Sequence, residues 1–130
     1  MFGFEKFSGN GETALVVEDM ADQQEITVEM LNALGYRAEA VGSGEAAVEH
    51  IRNNSVGVVI LDMNLGSGMD GLATFREICR VSPSQKAILA TGFATADIFC
   101  AAEDLGICAC LKKPYSVREL ARIMRLALDT

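Results

Sequence analysis

The sequence of 130 residues contains one histidine, two prolines and no tryptophan. The single histidine, His50, excludes a histidine-based metal site and a Ser-His-Asp triad built within the chain. We expect it to be an ordinary surface residue. Basic residues are also scarce: 11 lysines and arginines face 18 aspartates and glutamates, which leaves a net charge of −7. That charge disfavours binding to nucleic acids, which requires a basic surface.

Long hydrophobic runs and paired cysteines are absent as well. No apolar run approaches the roughly 18–20 residues that span a bilayer, and no signal-peptide pattern opens the chain. The sequence therefore predicts no direct membrane contact. The cysteines are Cys79, Cys100, Cys108 and Cys110. They lack the paired spacing of a zinc site and stand in apolar stretches, so we expect small buried residues in a reducing cytoplasm.

The residues that are present suit one compact domain. Half of them are hydrophobic, which is enough for a core at this length and excludes disorder as the main state. In residues 1–12, glycines and a serine interrupt three phenylalanines without a sustained period, which indicates a linker or lead-in segment. From residue 13 to residue 130 the pattern is regular and predicts a single domain.

Short apolar runs alternate with amphipathic stretches throughout that domain. Continuous apolarity is typical of strands buried on both faces, and hence of a parallel sheet. The predicted strands are residues 14–17, 38–41, 56–61, 87–90 and 107–111. The predicted inward helix positions are Ile26, Met30, Leu31 and Leu34; Ala46, Ala47, Val48 and Ile51; Leu72, Phe75, Ile78 and Cys79; Ile98, Ala101, Ala102 and Leu105; and Val117, Leu120, Ile123, Met124 and Leu128.

These runs predict five strand–helix units in series. Right-handed crossovers place helices on both faces of one parallel sheet. We therefore predict an α/β fold of the flavodoxin-like (βα)5 type, a doubly wound parallel sheet with strand order 2-1-3-4-5.

Polar residues follow the predicted strands where such folds bind their ligands, at the carboxyl ends of the strands. Glu18 and Asp19 follow the first strand and Asp62 follows the third, its neighbour in the predicted order. Three carboxylates about 5 Å apart repel by roughly 3 kcal/mol per pair at an effective dielectric near 20. A Mg²⁺ ion would remove that repulsion. Alternatively, an acid such as Asp19 could simply cap the following helix.

A hydroxyl and a lysine complete this predicted site. Thr91 stands directly after the fourth predicted run, and Lys113 follows the fifth. A cation, an ammonium and a free carboxylate suit phosphoryl transfer, with Asp62 as the best-placed nucleophile. The glycine-bearing loop at residues 66–68 lacks a P-loop pattern, which argues against a nucleotide cradle.

Five segments carry a resemblance to a known family. They are Leu15-Val16-Val17-Glu18-Asp19, Val59-Ile60-Leu61-Asp62-Met63-Asn64-Leu65, Met69-Asp70-Gly71-Leu72, Ala90-Thr91-Gly92 and Leu111-Lys112-Lys113-Pro114-Tyr115. Together, in this order and spacing, they resemble a response-regulator receiver domain of two-component signalling, from about residue 13 to residue 128.

The resemblance implies a role for each matching residue. Asp62 would accept the phosphoryl group, Lys113 would hold it, and the Lys-Pro bond would be cis. Mg²⁺ would bind to Asp62, to Asp19 directly, to Glu18 through water and to the backbone carbonyl of Asn64. Two further implied roles concern residues outside the metal site. Thr91 and Tyr115 would form a switch pair, and Asn64 and Phe93 would tune access of water to the phosphate.

The same resemblance implies the partners and the activity. A histidine kinase or a histidine phosphotransfer protein would donate the phosphoryl group, and the domain would catalyse both this transfer and its later hydrolysis. The family also allows a homodimer through the face formed by the fourth helix, fifth strand and fifth helix.

Two departures from the family pattern bear on these expectations. Glu18-Asp19 replaces the common Asp-Asp pair, which should alter metal affinity more than abolish it. The loop at residues 65–71 lacks the usual proline and is about one residue longer than the commonest form. With the lead-in residues 9–12, this loop is similar to the C-terminal receivers of hybrid sensor histidine kinases. A free-standing regulator is the alternative.

Two alternative functions have weaker support in the sequence. A phosphorylation-independent interaction module is supported only by the changed acidic pair, and Thr91 and Lys113 argue against it. A haloacid-dehalogenase-type phosphatase would need an aspartate where Asn64 stands. On the fourth helix, Phe99 and Cys100 do not fit the inward stripe. They are either incidental surface residues or part of a partner face.

Overall fold

The computed structural model describes residues 8–93 and 95–130 and contains five strands and five helices in strict alternation. The strands are β1 (Thr13–Val17), β2 (Arg37–Val41), β3 (Val58–Asp62), β4 (Ala87–Thr91) and β5 (Ala109–Lys112). The helices are α1 (Ala21–Ala33), α2 (Gly44–Asn53), α3 (Gly71–Val81), α4 (Ala96–Leu105) and α5 (Val117–Leu128). The strands pair in parallel in the order β2-β1-β3-β4-β5. The predicted fold class and strand order are confirmed.

Two hydrophobic clusters sandwich the sheet because successive strand residues point to opposite faces. On β1, Ala14 and Val16 join the cluster packed beneath α1 and α5, whereas Leu15 and Val17 join the cluster beneath α2, α3 and α4. Both clusters contain fully buried aliphatic residues from the central strands. The continuous apolar runs of the sequence therefore arise from burial on both faces of the sheet.

Side-chain caps start four of the five helices. Ser43, Asp70, Thr95 and Ser116 each accept a hydrogen bond from a backbone N–H in the first turn of α2, α3, α4 and α5 respectively. Ser116 and Glu119 form a reciprocal capping box. Helix α1 is different, because it begins after Met20 without a side-chain cap. The residues just before α1 are thus available for another role.

Several strand limits differ from the predicted ones. β3 begins at Val58, two residues late, because the Gly57 N–H donates to the Thr13 carbonyl and hydroxyl in the loop before the ladder. β5 begins at Ala109 because the Ile107 N–H still closes α4 by donating to Ala102. β3 and β4 each extend one residue further than predicted, and so include Asp62 and Thr91.

Two predicted inward positions were wrong. Ile26 is exposed, because Thr27 takes the inward place on α1 and satisfies its hydroxyl by a hydrogen bond to Tyr115. Ala46 is exposed, because the inward face of α2 is formed by Ala47, Val48 and Ile51. The remaining predicted stripe positions are buried or half-buried.

The cysteine and histidine predictions were partly right. Cys79, Cys108 and Cys110 are half-buried free thiols, but Cys100 is exposed on α4 next to exposed Phe99. His50 is half-buried, with Nε2 3.5 Å from a carboxylate oxygen of Glu39. Periodicity does not resolve such positions, because they lie at the margins of the helix faces.

The lead-in segment lies partly outside the described residues, since residues 1–7 are not among them. Residues 8–12 form no helix or strand, but the N–H groups of Gly9 and Gly11 donate to the carbonyls of Leu34 and Gly35. This segment is therefore hydrogen-bonded to the turn between α1 and β2. Within the described part of the chain, no helix has both the length and the apolar composition needed to cross a membrane.

Candidate functional site

Three acidic side chains converge at the carboxyl ends of the two central strands. Glu18 and Asp19 directly follow β1, and Asp62 is the last residue of β3, the strand that pairs with β1. Each carboxylate offers an oxygen, and these oxygens all lie within 4.8 Å of one another. Glu18 is only 5% exposed, Asp62 is half-buried and Asp19 is exposed. The strand order thus brings together residues that are more than 40 positions apart.

One lysine, which follows the edge strand β5, bridges two of these carboxylates. Lys113 Nζ lies 3.0 Å from Glu18 Oε1 and 3.3 Å from Asp62 Oδ2. Burial opposes the ammonium charge, but the hydrogen bonds and charges of Glu18 and Asp62 outweigh it and raise the pKa of Lys113 above its ordinary value. Lys113 is therefore held in the charged form that a phosphoryl group would bind.

The donor set fits a hard divalent cation. Three carboxylates against one ammonium leave two uncompensated negative charges in a partly buried cleft. All the acidic ligands are oxygens, which Mg²⁺ prefers over nitrogen or sulfur. Asn64 borders the same cleft, where its side-chain oxygen accepts the Gly66 N–H at 3.3 Å. The exposed side of Asp19 leaves room for water ligands.

Asp19 does not cap the following helix. The residue in the N-cap position of α1 is Met20, which makes no side-chain cap. In the first turn, the Gln23 N–H donates instead to Asp22. The capping interpretation of Asp19 is therefore wrong, and its carboxylate belongs to the acidic cluster.

Two glycines allow the loop after β3 and the first turn of α3 to lie against the site. At Gly66, φ is +74° and an added Cβ would lie 3.0 Å from Asp19 Oδ2. At Gly71, an added Cβ would lie 2.6 Å from the Asp62 carbonyl oxygen and 2.9 Å from Met63 Cα. The first turn of α3 therefore packs directly on the backbone that carries Asp62.

Thr91 is buried at the end of β4 and lines the same cleft as Asp62 and Lys113. Its hydroxyl accepts the Phe93 N–H at 3.1 Å, and its carbonyl accepts the Lys113 N–H. The cleft has a volume of about 410 Å³. Its rim includes Met20 and Phe93, which are 54% and 80% exposed. A charged floor and an apolar rim thus surround the Asp62 carboxylate.

Tyr115 lies on the other side of Lys113, against α1. Its hydroxyl is 2.8 Å from Thr27 Oγ1, and its ring packs against the cluster beneath α1 and α5. Burial raises the pKa of the Tyr115 hydroxyl, although the Thr27 hydrogen bond opposes this. Within the described residues, Tyr115 and Thr91 share no hydrogen bond and line different clefts. The structure therefore places the two residues of the expected switch pair on different clefts. The Lys113–Pro114 bond between these clefts is cis, as expected.

Two residues of this region were missed in the sequence. The side-chain amide of Gln24 donates to the Glu18 carbonyl oxygen at 2.6 Å, and Thr27 provides the partner of Tyr115. No motif marks either residue. Gln24 reaches back to the loop before its own helix, and the partner of Thr27 lies 88 positions away in the sequence. Only the folded chain shows which polar α1 residues face the site.

A sequence model of the family described as the response regulator receiver domain matches residues 14–125. Protein-glutamate methylesterase/protein-glutamine glutaminase 1 of Rhodospirillum rubrum is 34% identical over 112 residues, which cover 82% of this chain and 28% of that protein. Transcriptional regulatory protein ZraR of Escherichia coli strain K12 is 28% identical over 114 residues, covering 88% of this chain and 26% of that protein. The chain thus spans little more than a quarter of the length of these curated relatives.

Solved structures of receiver domains match the fold closely. The receiver domain of a sensor histidine kinase from Pseudomonas aeruginosa PAO1 has a TM-score of 0.83 at 28% identity, with 92% of this chain and 99% of that one covered. That structure has a magnesium ion coordinated in its active site cleft. A CheY-like receiver domain protein from Methanospirillum hungatei JF-1 has a TM-score of 0.85 at 23% identity, with 92% and 95% covered.

Proposed function

The chain belongs to the response regulator receiver domain family, and on that premise we propose that Asp62 accepts a phosphoryl group from a phosphohistidine of a partner protein. The supporting observation is the convergence of Glu18, Asp19 and Asp62 within 4.8 Å, with Lys113 bridging two of them. Acidic residues that are merely exposed to solvent would not be expected to share a partly buried lysine.

In the proposed step, a carboxylate oxygen of Asp62 attacks the phosphorus atom. The phosphorus–nitrogen bond of the phosphohistidine breaks, and the imidazole leaves with the bonding electrons and takes up a proton. Lys113 moves its ammonium contact from the carboxylates to an oxygen of the transferred group, where it neutralises charge. The buried Thr91 hydroxyl can donate to another phosphoryl oxygen once it turns from the Phe93 N–H.

Mg²⁺ bound in the cleft would neutralise the carboxylates and the oxygens of the incoming group. Asp19 and Asp62 would be its direct ligands, Glu18 would act through water, and the backbone carbonyl of Asn64 would be a further ligand. The magnesium-containing receiver domain of the sensor histidine kinase supports this assignment at the level of the family. Asn64 and Phe93 border the cleft at its open side, where they would control the approach of water.

The acyl phosphate would then bias a two-state arrangement of the face formed by α4, β5 and α5. Thr91 is proposed to respond on the α4 side. Tyr115 is proposed to respond on the α1 side, since its partner is Thr27.

A homodimer through the α4–β5–α5 face stays a prediction. The exposed Phe99 and Cys100 belong to α4, one of the three elements of this face. The origin in a hybrid sensor histidine kinase, the absence of nucleic-acid and membrane contacts, and the cytoplasmic setting also stay predictions.

The test is phosphorylation by a small-molecule donor. The chain is incubated with acetyl phosphate, with and without Mg²⁺, and its intact mass is measured. We expect a gain of one phosphoryl group that requires Mg²⁺ and disappears in Asp62→Asn. The matched control is Asp104→Asn, which makes the same change at an exposed position of α4 and should be labelled like the unaltered chain.

Two results would contradict the proposal. A phosphoryl group that persists in Asp62→Asn would remove Asp62 from this role. An absence of labelling in every variant, together with partner binding that Asp62→Ala leaves unchanged, would favour the phosphorylation-independent interaction module.

A further inference from the structure

The backbone of Glu18 is held from both sides. Its N–H donates to the Val41 carbonyl at the end of β2, at 3.1 Å. Its carbonyl oxygen accepts the side-chain amide of Gln24 on α1, at 2.6 Å. Glu18 is therefore connected to the neighbouring strand through one peptide group and to the following helix through the next.

The Gln24 contact has a particular importance because α1 lacks a side-chain cap. Among the described residues, the other hydrogen bonds that reach Glu18 from the loop or from Lys113 end on its carboxylate. The side-chain amide of Gln24 is thus the side-chain contact from α1 to the main chain of the turn at residues 18–20. The backbone N–H of Gln24 also donates to the Met20 carbonyl, so Gln24 is hydrogen-bonded to both ends of this turn.

We propose that Gln24 is a positioning residue for the metal site, acting by fixing the peptide plane between Glu18 and Asp19. This inference rests on the proposed function, since it concerns the same Mg²⁺ site. Rotation of that peptide would move the Glu18 and Asp19 carboxylates relative to Asp62, which is anchored separately on β3. Partners of this kind, one step removed from the ligands, commonly change metal affinity when they are lost.

The chemistry of glutamine suits this position. The carbonyl of Glu18 needs an N–H donor, which a glutamate could not supply in its charged form. A lysine or arginine could supply the donor, but would add positive charge beside a cation site. Gln24 provides the hydrogen bond without changing the charge of the cluster.

The experiment compares Gln24→Met, which keeps the length of the side chain but removes the donor, with Gln23→Met on the same helix. Mg²⁺ binding is measured by calorimetry, and acetyl phosphate labelling is measured as a function of Mg²⁺ concentration. For Gln24→Met we expect the Mg²⁺ dissociation constant and the half-saturating concentration to rise about tenfold. The labelling rate at saturating Mg²⁺ should stay within twofold of the unaltered chain.

A second pair of variants tests the donor itself. Gln24→Glu keeps the length of the side chain but replaces the N–H donor with a charged carboxylate, whereas Gln23→Glu adds the same charge and leaves the Gln24 hydrogen bond in place. We expect the Mg²⁺ dissociation constant of Gln24→Glu to be about tenfold higher than that of Gln23→Glu, and equal constants would overturn the positioning role. This comparison keeps the inference testable even if Gln24→Met folds poorly.

The outcomes separate the inference from the proposed function. Unchanged Mg²⁺ binding in Gln24→Met, or a reduced saturating rate with unchanged half-saturation and a lower unfolding temperature, would overturn the positioning role. If the unaltered chain binds Mg²⁺ but is not labelled, the proposed function fails, while the calorimetric comparison still decides the role of Gln24. Absence of Mg²⁺ binding by the unaltered chain would overturn both.

Discussion

Asp19 carries the least compensated charge of the acidic cluster. Lys113 contacts Glu18 and Asp62, and within the described residues no cation contacts Asp19. Unit charges within 4.8 Å of one another repel by about 3 kcal/mol or more at an effective dielectric near 20. Because Asp19 is exposed, solvent screening should reduce the net effect on folding to about 1 kcal/mol.

We therefore predict opposite effects of Asp19→Asn with and without metal. Without Mg²⁺, the substitution should raise the free energy of unfolding by about 1 kcal/mol, because it removes repulsion. With Mg²⁺, it should abolish most of the stabilisation that the ion gives the unaltered chain. Urea unfolding with and without Mg²⁺ measures both effects. Asp104→Asn serves as the control, and an undiminished response of Asp19→Asn to Mg²⁺ would contradict the assignment of Asp19 as a ligand.

Single residues differed in how far the sequence predicted them. Positions at strand ends predicted five site residues: Glu18, Asp19, Asp62, Thr91 and Lys113. The structure brings the three carboxylates and Lys113 together, and Thr91 lines the same cleft as Asp62 and Lys113. The partner of Tyr115 was not predicted. A side chain that follows a strand end can turn to either face of the sheet, and packing against α1 decided its direction.

Among the elements around the site, the start of α3 has a tight steric constraint against the end of β3. An added Cβ at Gly71 would meet the Asp62 carbonyl oxygen at 2.6 Å and Met63 Cα at 2.9 Å. Both atoms belong to the backbone, so neither can move without moving the strand end. The Gly71 N–H also donates to the Met63 carbonyl, which fixes the start of α3 against β3.

Gly71→Ala should therefore destabilise the domain by about 2 kcal/mol through overpacking. It should also slow labelling of Asp62 by acetyl phosphate, since the nucleophile shifts with its backbone. Thermal unfolding and labelling rates measure the two effects. For stability, Gly92→Ala is the control, because an added Cβ there has no atom within 4 Å. Equal unfolding temperatures for the two variants would show that the strand end yields without cost.

Whole elements were predicted more reliably than their limits. Hydrophobic periodicity predicted the five strands and five helices, but it did not predict the first residues of β3 and β5 correctly. Apolar runs continue into the loops that lead to these strands, where Gly57 and Ile107 make hydrogen bonds outside the predicted ladder. The pattern reports burial, and burial extends beyond the strand pairing itself.

Across the molecule, Arg125 joins the lead-in residues to the end of α5. Its guanidinium lies 2.7 Å from a Glu12 carboxylate oxygen and 2.6 Å from an Asp129 oxygen. Burial alone would raise the pKa of Glu12, but hydrogen bonds from the Asn10 N–H and Arg125 lower it below the ordinary value. Glu12 therefore stabilises the fold in its charged form.

This arrangement predicts a pH-dependent contribution to stability. A lowered pKa in the folded state means that the contribution is complete above the unfolded-state pKa and is lost as the pH falls through the folded-state pKa. Glu12→Gln should cost about 1 kcal/mol near pH 7, and the difference should shrink and then vanish as the pH falls through the lowered folded-state pKa of Glu12. Urea unfolding across this pH range provides the measurement. Glu103→Gln, at an exposed position on α4, is the control. A difference that persists at the lowest pH would mean that the charge of Glu12 is not responsible.

The sequence by itself determined the fold class, the strand order and the family, because these depend on hydrophobic period and on motifs at strand ends, both of which are local patterns. Only the tertiary structure decided which side chains reach one another across elements: Lys113 to Glu18, Gln24 to the Glu18 carbonyl, Tyr115 to Thr27 and Arg125 to Glu12. The physical reason is that a hydrogen bond or ion pair requires atoms within about 3 Å. Distances on that scale are set by the packing of helices on the sheet, which no short stretch of residues encodes.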